Sequence, residues 1–356
     1  MNFTQYIKKN QESFKKSPLN IIDATVFCWV AYFDFAHVKD QLPLKLADFE
    51  YINEYKTLEP YHSSFFPRFS RRFMHSLAIS NRFKDAELVD CEYIIDKKHD
   101  VQFAVIALKI NKEILVAIRG TDPCYTGWKE DFTMSYKDRI NSYSYAESFV
   151  ERIIKKHKEK IILCGHSKGG NICTYLLSQI KDDSKIKHVY SFDGPGFRIV
   201  GLFEGKEERL KKFTKIVPQS SVVGVLFSNE TDIKIVKSRS VSILQHNFFE
   251  WRIKDNDYIY VNKRTLSSRY LEKSLNSWIE SLNKKDRERF TEIIFGELDK
   301  FDAEDFTIFF KRLLLQVRPA YKAYRHLSKE DKKVVHRVIK RLIKLLIKPT
   351  TKKTDN

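Results

Sequence analysis

One pentapeptide limits what this chain can fold into more than any other feature. Gly165-His166-Ser167-Lys168-Gly169 reads G-x-S-x-G, between a buried-type strand run, Lys160 to Cys164, and a helix-like run, Lys168 to Ile180. The spacing has a steric cause. A serine on a strained strand-to-helix turn needs small residues two places before and two after, so that strand and helix can approach each other. Such a turn lifts the hydroxyl clear of the sheet edge. It also aims the amide of the next residue, Lys168, and the helix N-terminus at the same spot, where negative charge can be stabilised. A Gly-rich phosphate-binding turn is the alternative, but the runs of a P-loop or a dinucleotide fingerprint are absent.

The flanking pattern predicts an α/β chain. Ile22, Val26, Trp29, Val30 and Phe33 fall at helical spacing in a predicted helix over residues 19 to 38. A polar, Pro-containing region follows to about residue 70. Leu88 to Ile95, Phe103 to Ile110 and Glu113 to Ile118 read as strands, the last two joined by an Asn111-Lys112 hairpin turn. Beyond residue 118 strands alternate with helices, with further strands at His188 to Phe192 and Phe213 to Val217. This predicts a mainly parallel sheet flanked by helices, with an antiparallel hairpin at its start. From about residue 265 the strand signal stops. Leu271, Leu275, Trp278, Ile279 and Leu282 then share a helical face. We therefore expect one unit over 1–264 and a basic helical extension over 265–356.

Composition matters at three points. The five cysteines are scattered without a C-x-x-C pair, which argues against a zinc site and against a disulfide framework. Met1 to Leu19 lacks the apolar core of a signal peptide. The apolar stretch Val26 to Val38 is short and carries Asp34, so a cytoplasmic protein is expected. The net charge of +18 is concentrated: residues 318–356 hold thirteen Lys or Arg against three Asp or Glu. Ser328, with Asp331 three residues on, opens a last helix. Its apolar face (Val335, Val338, Ile339, Leu342, Leu345, Leu346) is bordered by Lys333, Arg337, Lys340, Arg341 and Lys344. Residues 328–348 thus form a basic amphipathic helix that either lies on an anionic membrane surface or packs on the rest of the chain. Nucleic acid is not expected, because no binding motif accompanies the charge.

Five ordered blocks give the chain a resemblance. They are Val116-Ala117-Ile118-Arg119-Gly120-Thr121-Asp122 with Trp128, Asp131 and Phe132; the Gly-His-Ser-Lys-Gly-Gly turn; Ser191 to Phe197; Val217 to Gly224; and Gln245-His246 with Trp251. Together they resemble the lipase-like α/β-hydrolases, specifically the fungal-type class 3 lipases. They are closer still to a bacterial lipase-like family with no assigned substrate, in which lysine follows the serine. The likeness covers roughly residues 20 to 260. It implies the α/β-hydrolase fold, and a serine hydrolase that cleaves a carboxylic ester, lipid or lysolipid-like, through an acyl-enzyme on Ser167. No metal or cofactor is implied. It also implies a second oxyanion donor at Thr121, beside the amide of Lys168.

A serine hydroxyl needs a base, and in this fold the chain order is serine, acid, histidine. His188, His246, His326 and His336 follow Ser167. His246 lies in the block resembling the lipase histidine and follows a strand-like Val241 to Leu244, so it is the expected base. His166 reads as a packing or positioning residue. The acid is open. Class 3 lipases carry aspartate in the block where this chain has Ser220 and Ser221. Asp193, closing the strand after the motif helix, is the first candidate, Asp232 the second, and a Ser-His pair without an acid the third. Arg119, beside a buried Trp128 and Asp131, is expected to fix the oxyanion loop, and Asp122 to cap or orient it. The alternative reading is a non-catalytic protein of this fold that binds a lipid or a partner protein.

Overall fold

Eight strands pair in their own sequence order to make one sheet. The computed structural model describes residues 1–50, 67–122, 124–227, 232–299 and 324–347. Strands β1 (Leu44–Lys45), β2 (Glu87–Asp96), β3 (Val101–Ile110) and β4 (Glu113–Ile118) are antiparallel neighbours. From β4 onward, β5 (Lys160–His166), β6 (Ile186–Phe192), β7 (Phe213–Pro218) and β8 (Ile233–Val236) run parallel. The expected hairpin is present: Ile110 pairs with Glu113, and Asn111 takes the positive φ of 54° that the tight turn requires. A small ribbon of β9 (Ile253–Lys254) and β10 (Asp257–Tyr258) lies outside the sheet.

Alternation along the strands builds two cores. Leu115, Ala117, Ile162 and Cys164 face one side, where α1 (Phe3–Lys9) and α2 (Ile21–Val30) pack. Ile114, Val116, Ile118, Ile161 and Leu163 face the other. There α5 (Ser142–Lys156) and α6 (Lys168–Gln179) cover the sheet and α4 (Tyr125–Thr133) packs beside β3, while α3 (Pro67–Ala78) lies on the first face, against α1. Burying each of these valine, leucine and isoleucine side chains contributes about 1.5–3 kcal/mol. This is the layered arrangement of an α/β-hydrolase: a mostly parallel sheet flanked by helices.

Two predicted elements differ. The helix expected over 19–38 ends at Val30, because Asp34 accepts the Ala36 amide at 2.8 Å and turns the chain into a 3-10 helix, Ala36–Gln41. Val241 to Leu244 is not a strand. Gln245 bonds the Ser220 amide (2.9 Å) and the Ser240 carbonyl, and Trp251 Nε1 bonds the Gln245 carbonyl (2.8 Å). These contacts fold Ser242–His246 into a 3-10 turn.

After residue 264 come α7 (Leu266–Ser281), α8 (Lys284–Asp299) and α9 (Lys329–Ile347). Val338 and Leu345 of α9 are buried, and Trp278 Nε1 donates to the Val338 carbonyl at 3.0 Å. The basic helix therefore packs one apolar face on its neighbours α7 and α8. Residues 51–66 of the polar region, and 300–323 between α8 and α9, lie outside the described residues. Among those described, no helix is long and apolar enough to cross a membrane.

Candidate active site

Ser167 sits where β5 becomes α6, with φ 55° and ψ −126°. A positive φ on a non-glycine residue costs of order 1–3 kcal/mol, so the surroundings must hold it. They do so through backbone contacts: the Ser167 amide donates to the Phe192 carbonyl (2.9 Å), and its carbonyl accepts from Gly170 (2.9 Å). The two glycines of the motif are forced by close approach. A Cβ on Gly165 would stand 2.2 Å from the Gly169 carbonyl oxygen, and one on Gly169 would stand 2.1 Å from that of Ile118. The bend leaves Ser167 only half-buried.

Parallel pairing of β5 with β6 brings the next residues alongside. His166 is in register with Phe192, so Asp193 follows at the same sheet edge. Asp193 also has a positive φ, 49°, and its amide donates to the Ile216 carbonyl on β7 at 2.7 Å. Its buried carboxylate is used on both sides. Oδ2 lies 2.7 Å from His246 Nδ1, while Oδ1 accepts from the Ser221 hydroxyl (2.6 Å) and the Gly224 amide (3.1 Å). Facing an ionised carboxylate, Nδ1 carries the proton, and a neutral ring then leaves Nε2 as a bare lone pair. Asp232 is exposed at the start of β8, away from this pairing. His188 bonds Thr214 (3.0 Å), while His326 and His336 are exposed.

His166 supports the His246 turn. A carbonyl can only accept, so the contact of His166 Nε2 with the His246 carbonyl (2.8 Å) fixes the proton on Nε2. Nδ1 then accepts from the Tyr32 hydroxyl, also at 2.8 Å. Burial, with His246 beside it, pushes the His166 pKa well below the ordinary value, so the ring stays neutral. Its ring centroid lies 4.5 Å from that of His246.

The loop after β4 closes against the bend. A Cβ on Gly120 would lie 2.9 Å from Ser167 Cβ, which puts Thr121 beside the serine and the first amide of α6. The Thr121 hydroxyl donates to Asp131 Oδ2 at 2.7 Å, and among the described residues its amide has no hydrogen-bond partner. Burial pushes the Asp131 carboxyl up to about 6, with Lys168 and the Thr121 hydroxyl pulling the other way. Arg119 pairs with Asp122 (2.8 Å), and Asp122 accepts the Cys124 amide (3.0 Å). The aromatic ring beside Arg119 is Tyr93, at 4.9 Å. Trp128, expected to be buried there, is instead exposed on α4.

Three side chains were not legible in the sequence as parts of this site, although the amide of Lys168 was. Lys168 turns its side chain inward and donates to Glu130 (2.8 Å) and to the Gln102 carbonyl (2.7 Å). Burial works against that ammonium, yet Glu130 and Asp131 hold its pKa above the ordinary value. Ser221 occupies the block where the lipases carry an acid, and its hydroxyl holds Asp193 instead. Lys215 is buried on β7; burial pushes its pKa down to about 7, with Asp193 pulling it up. Among the described residues, no group of three His, Cys, Asp or Glu side chains is placed to hold a metal ion.

A family model described as Mbeg1-like matches residues 77–296. No curated protein matches the sequence. Solved structures similar to the chain include the Lip2 lipase of Yarrowia lipolytica, at 14% identity and TM-score 0.33, covering 43% of this chain and 66% of that one. The chain thus spans just under two thirds of that lipase. A Rhizomucor miehei lipase in a propeptide complex is 14% identical, with TM-score 0.37 over 61% of this chain and 80% of that one. A triacylglycerol lipase from Penicillium expansum is 14% identical, with TM-score 0.31 over 51% and 82%.

Proposed function

The chain belongs to the Mbeg1-like family, and from that premise we propose that it is a serine hydrolase cleaving a carboxylic ester through an acyl-enzyme on Ser167. One observation carries the reading: the His246–Asp193 contact of 2.7 Å, on a turn packed against the strained bend that bears Ser167. His246 Nε2 takes the Ser167 proton as the hydroxyl oxygen attacks the ester carbonyl. Asp193 stabilises the imidazolium that forms. The amides of Lys168 and Thr121 hold the oxyanion; one such donor typically contributes about 2.7–4 kcal/mol to the barrier reduction. His246 then returns its proton to the departing alcohol, and water repeats the sequence on the acyl-enzyme. The resemblance of its sequence blocks to those of the class 3 lipases favours an acyl lipid or lysolipid as substrate.

Hydrolysis of a short-chain p-nitrophenyl ester tests the assignment. Ser167→Ala and His246→Ala are expected to lose turnover by about 10⁴-fold or more, and Asp193→Asn by on the order of 10²–10⁴-fold. Turnover by folded Ser167→Ala equal to that of the unaltered protein would remove the assignment.

A further inference from the structure

Helix α9 carries more apolar surface than its packing uses. Val338 and Leu345 are buried against the neighbouring helices, but Ile339, Ile343, Leu346 and Ile347 form a second stripe that faces outward, Ile347 being 71% exposed. Lys340 and Lys344 each stand one residue after an isoleucine of that stripe. Neither has an ion-pair partner among the described residues.

The stripe leads to the candidate active site. The Tyr270 hydroxyl bonds the Leu346 carbonyl and Trp278 bonds that of Val338, so α9 runs antiparallel to α7, and its apolar end lies at the start of α7. There Leu266 is 77% exposed. Its neighbour Thr265 bonds the Ser220 hydroxyl at 3.0 Å, and the Ser220 amide bonds Gln245, the residue before His246. On that same turn Val241 and Leu244 are 70% and 60% exposed. Leucine, isoleucine and valine thus stand in water on three elements that these hydrogen bonds tie to one another, more exposed apolar surface than packing requires.

We propose that this path is a docking surface for an anionic lipid bilayer, with α9 lying on the membrane and the His246 turn facing it. Apolar side chains flanked by lysines match the acyl boundary and the acidic headgroups respectively. The concentrated charge argues the same way. Thirteen Lys or Arg against three Asp or Glu in residues 318–356 would repel a second copy, and electrostatic binding to nucleic acid would leave the isoleucines unused. Docking stands apart from any chemistry at Ser167. Only its consequence, delivery of an acyl lipid to the site, rests on the hydrolase reading.

The test is co-sedimentation of full-length Ser167→Ala protein with vesicles of phosphatidylcholine alone, or with roughly a third phosphatidylglycerol. Binding to the anionic vesicles is expected to exceed binding to the neutral ones by about tenfold or more, and to fall with salt. Ile343→Asp with Ile347→Asp, both exposed, is expected to lower it by a further factor of about ten without changing the melting temperature. Lys340→Glu with Lys344→Glu is expected to act similarly. Equal binding to both vesicles, no binding by folded protein, or full binding by the isoleucine double variant overturns the proposal. So does a DNA duplex that binds more tightly than the vesicles and is insensitive to the isoleucines. Fluorophosphonate labelling of the unaltered protein, run in parallel, reports on Ser167 separately.

Discussion

At the scale of single residues, the carboxylates differ in what they are held by. Asp193 is ringed by donors, so Ser221 is the residue whose loss speaks most directly to its role. A hydrogen bond to a charged group is worth about 1.5–3 kcal/mol, so Ser221→Ala is expected to lower kcat for ester hydrolysis by at least about tenfold, with KM little changed. An unchanged kcat would show that the Gly224 amide alone suffices. Asp131 is the opposite case: its Oδ1 is buried with no partner among the described residues. Its folded pKa of about 6 lies above the ordinary 3.8, so the folded state holds more protons than the unfolded state between those values. This group's contribution to stability is therefore greatest at low pH and is lost as pH rises from about 4 to 6. Urea titrations across that range are expected to show the loss in the unaltered protein and not in Asp131→Asn; equal slopes would contradict it. Ser167 was legible because a motif of fixed spacing reports a local bend. The partners of Asp193 were not: Ser221 and His246 lie 28 and 53 residues away, and only the sheet brings them together.

At the scale of elements, the bend depends on two chain segments touching with nothing between them. Gly169→Ala would drive a methyl into the Ile118 carbonyl, a backbone atom of β4 that cannot swing aside. Overpacking of that kind typically costs up to about 3 kcal/mol, and denaturant unfolding is expected to show a loss of this size. A fully stable variant would mean that α6 can slide away from β4. The strands from Leu88 to Val217 were readable from apolar runs and turn residues, with ends within a few positions of those observed. The 3-10 turn bearing His246 was not. Val241, Ile243 and Leu244 look like strand residues, and only the contacts of Gln245 with Ser220, 25 residues upstream, and with Trp251 dictate otherwise. Lys168 was opaque for a similar reason: a lysine reads as surface until a Glu130 38 residues upstream is folded against it.

At the scale of the whole molecule, the helices beyond residue 264 are tied to the loop that holds the carboxylate. Ser268 bonds the Ser221 carbonyl (2.5 Å), the Thr265 amide bonds that of Gln219 (2.8 Å), and Asn276 bonds both Val225 and Phe227. The stop in strand signal near residue 265 marks a change of element type, and these contacts cross it. Native-state hydrogen exchange is expected to give the amides of residues 219–227 and those of α7 a shared opening free energy. An α7 that opens independently would contradict that coupling. The central claim is narrower: one hydroxyl in this molecule is made nucleophilic by His246 and Asp193. Intact-mass analysis after exposure to a fluorophosphonate tests it most directly. The account predicts one adduct, located on Ser167, absent from Ser167→Ala, and formed at least about a hundredfold more slowly in His246→Ala and Asp193→Asn. Folded protein that takes up no label, or a label that persists in Ser167→Ala, would contradict it.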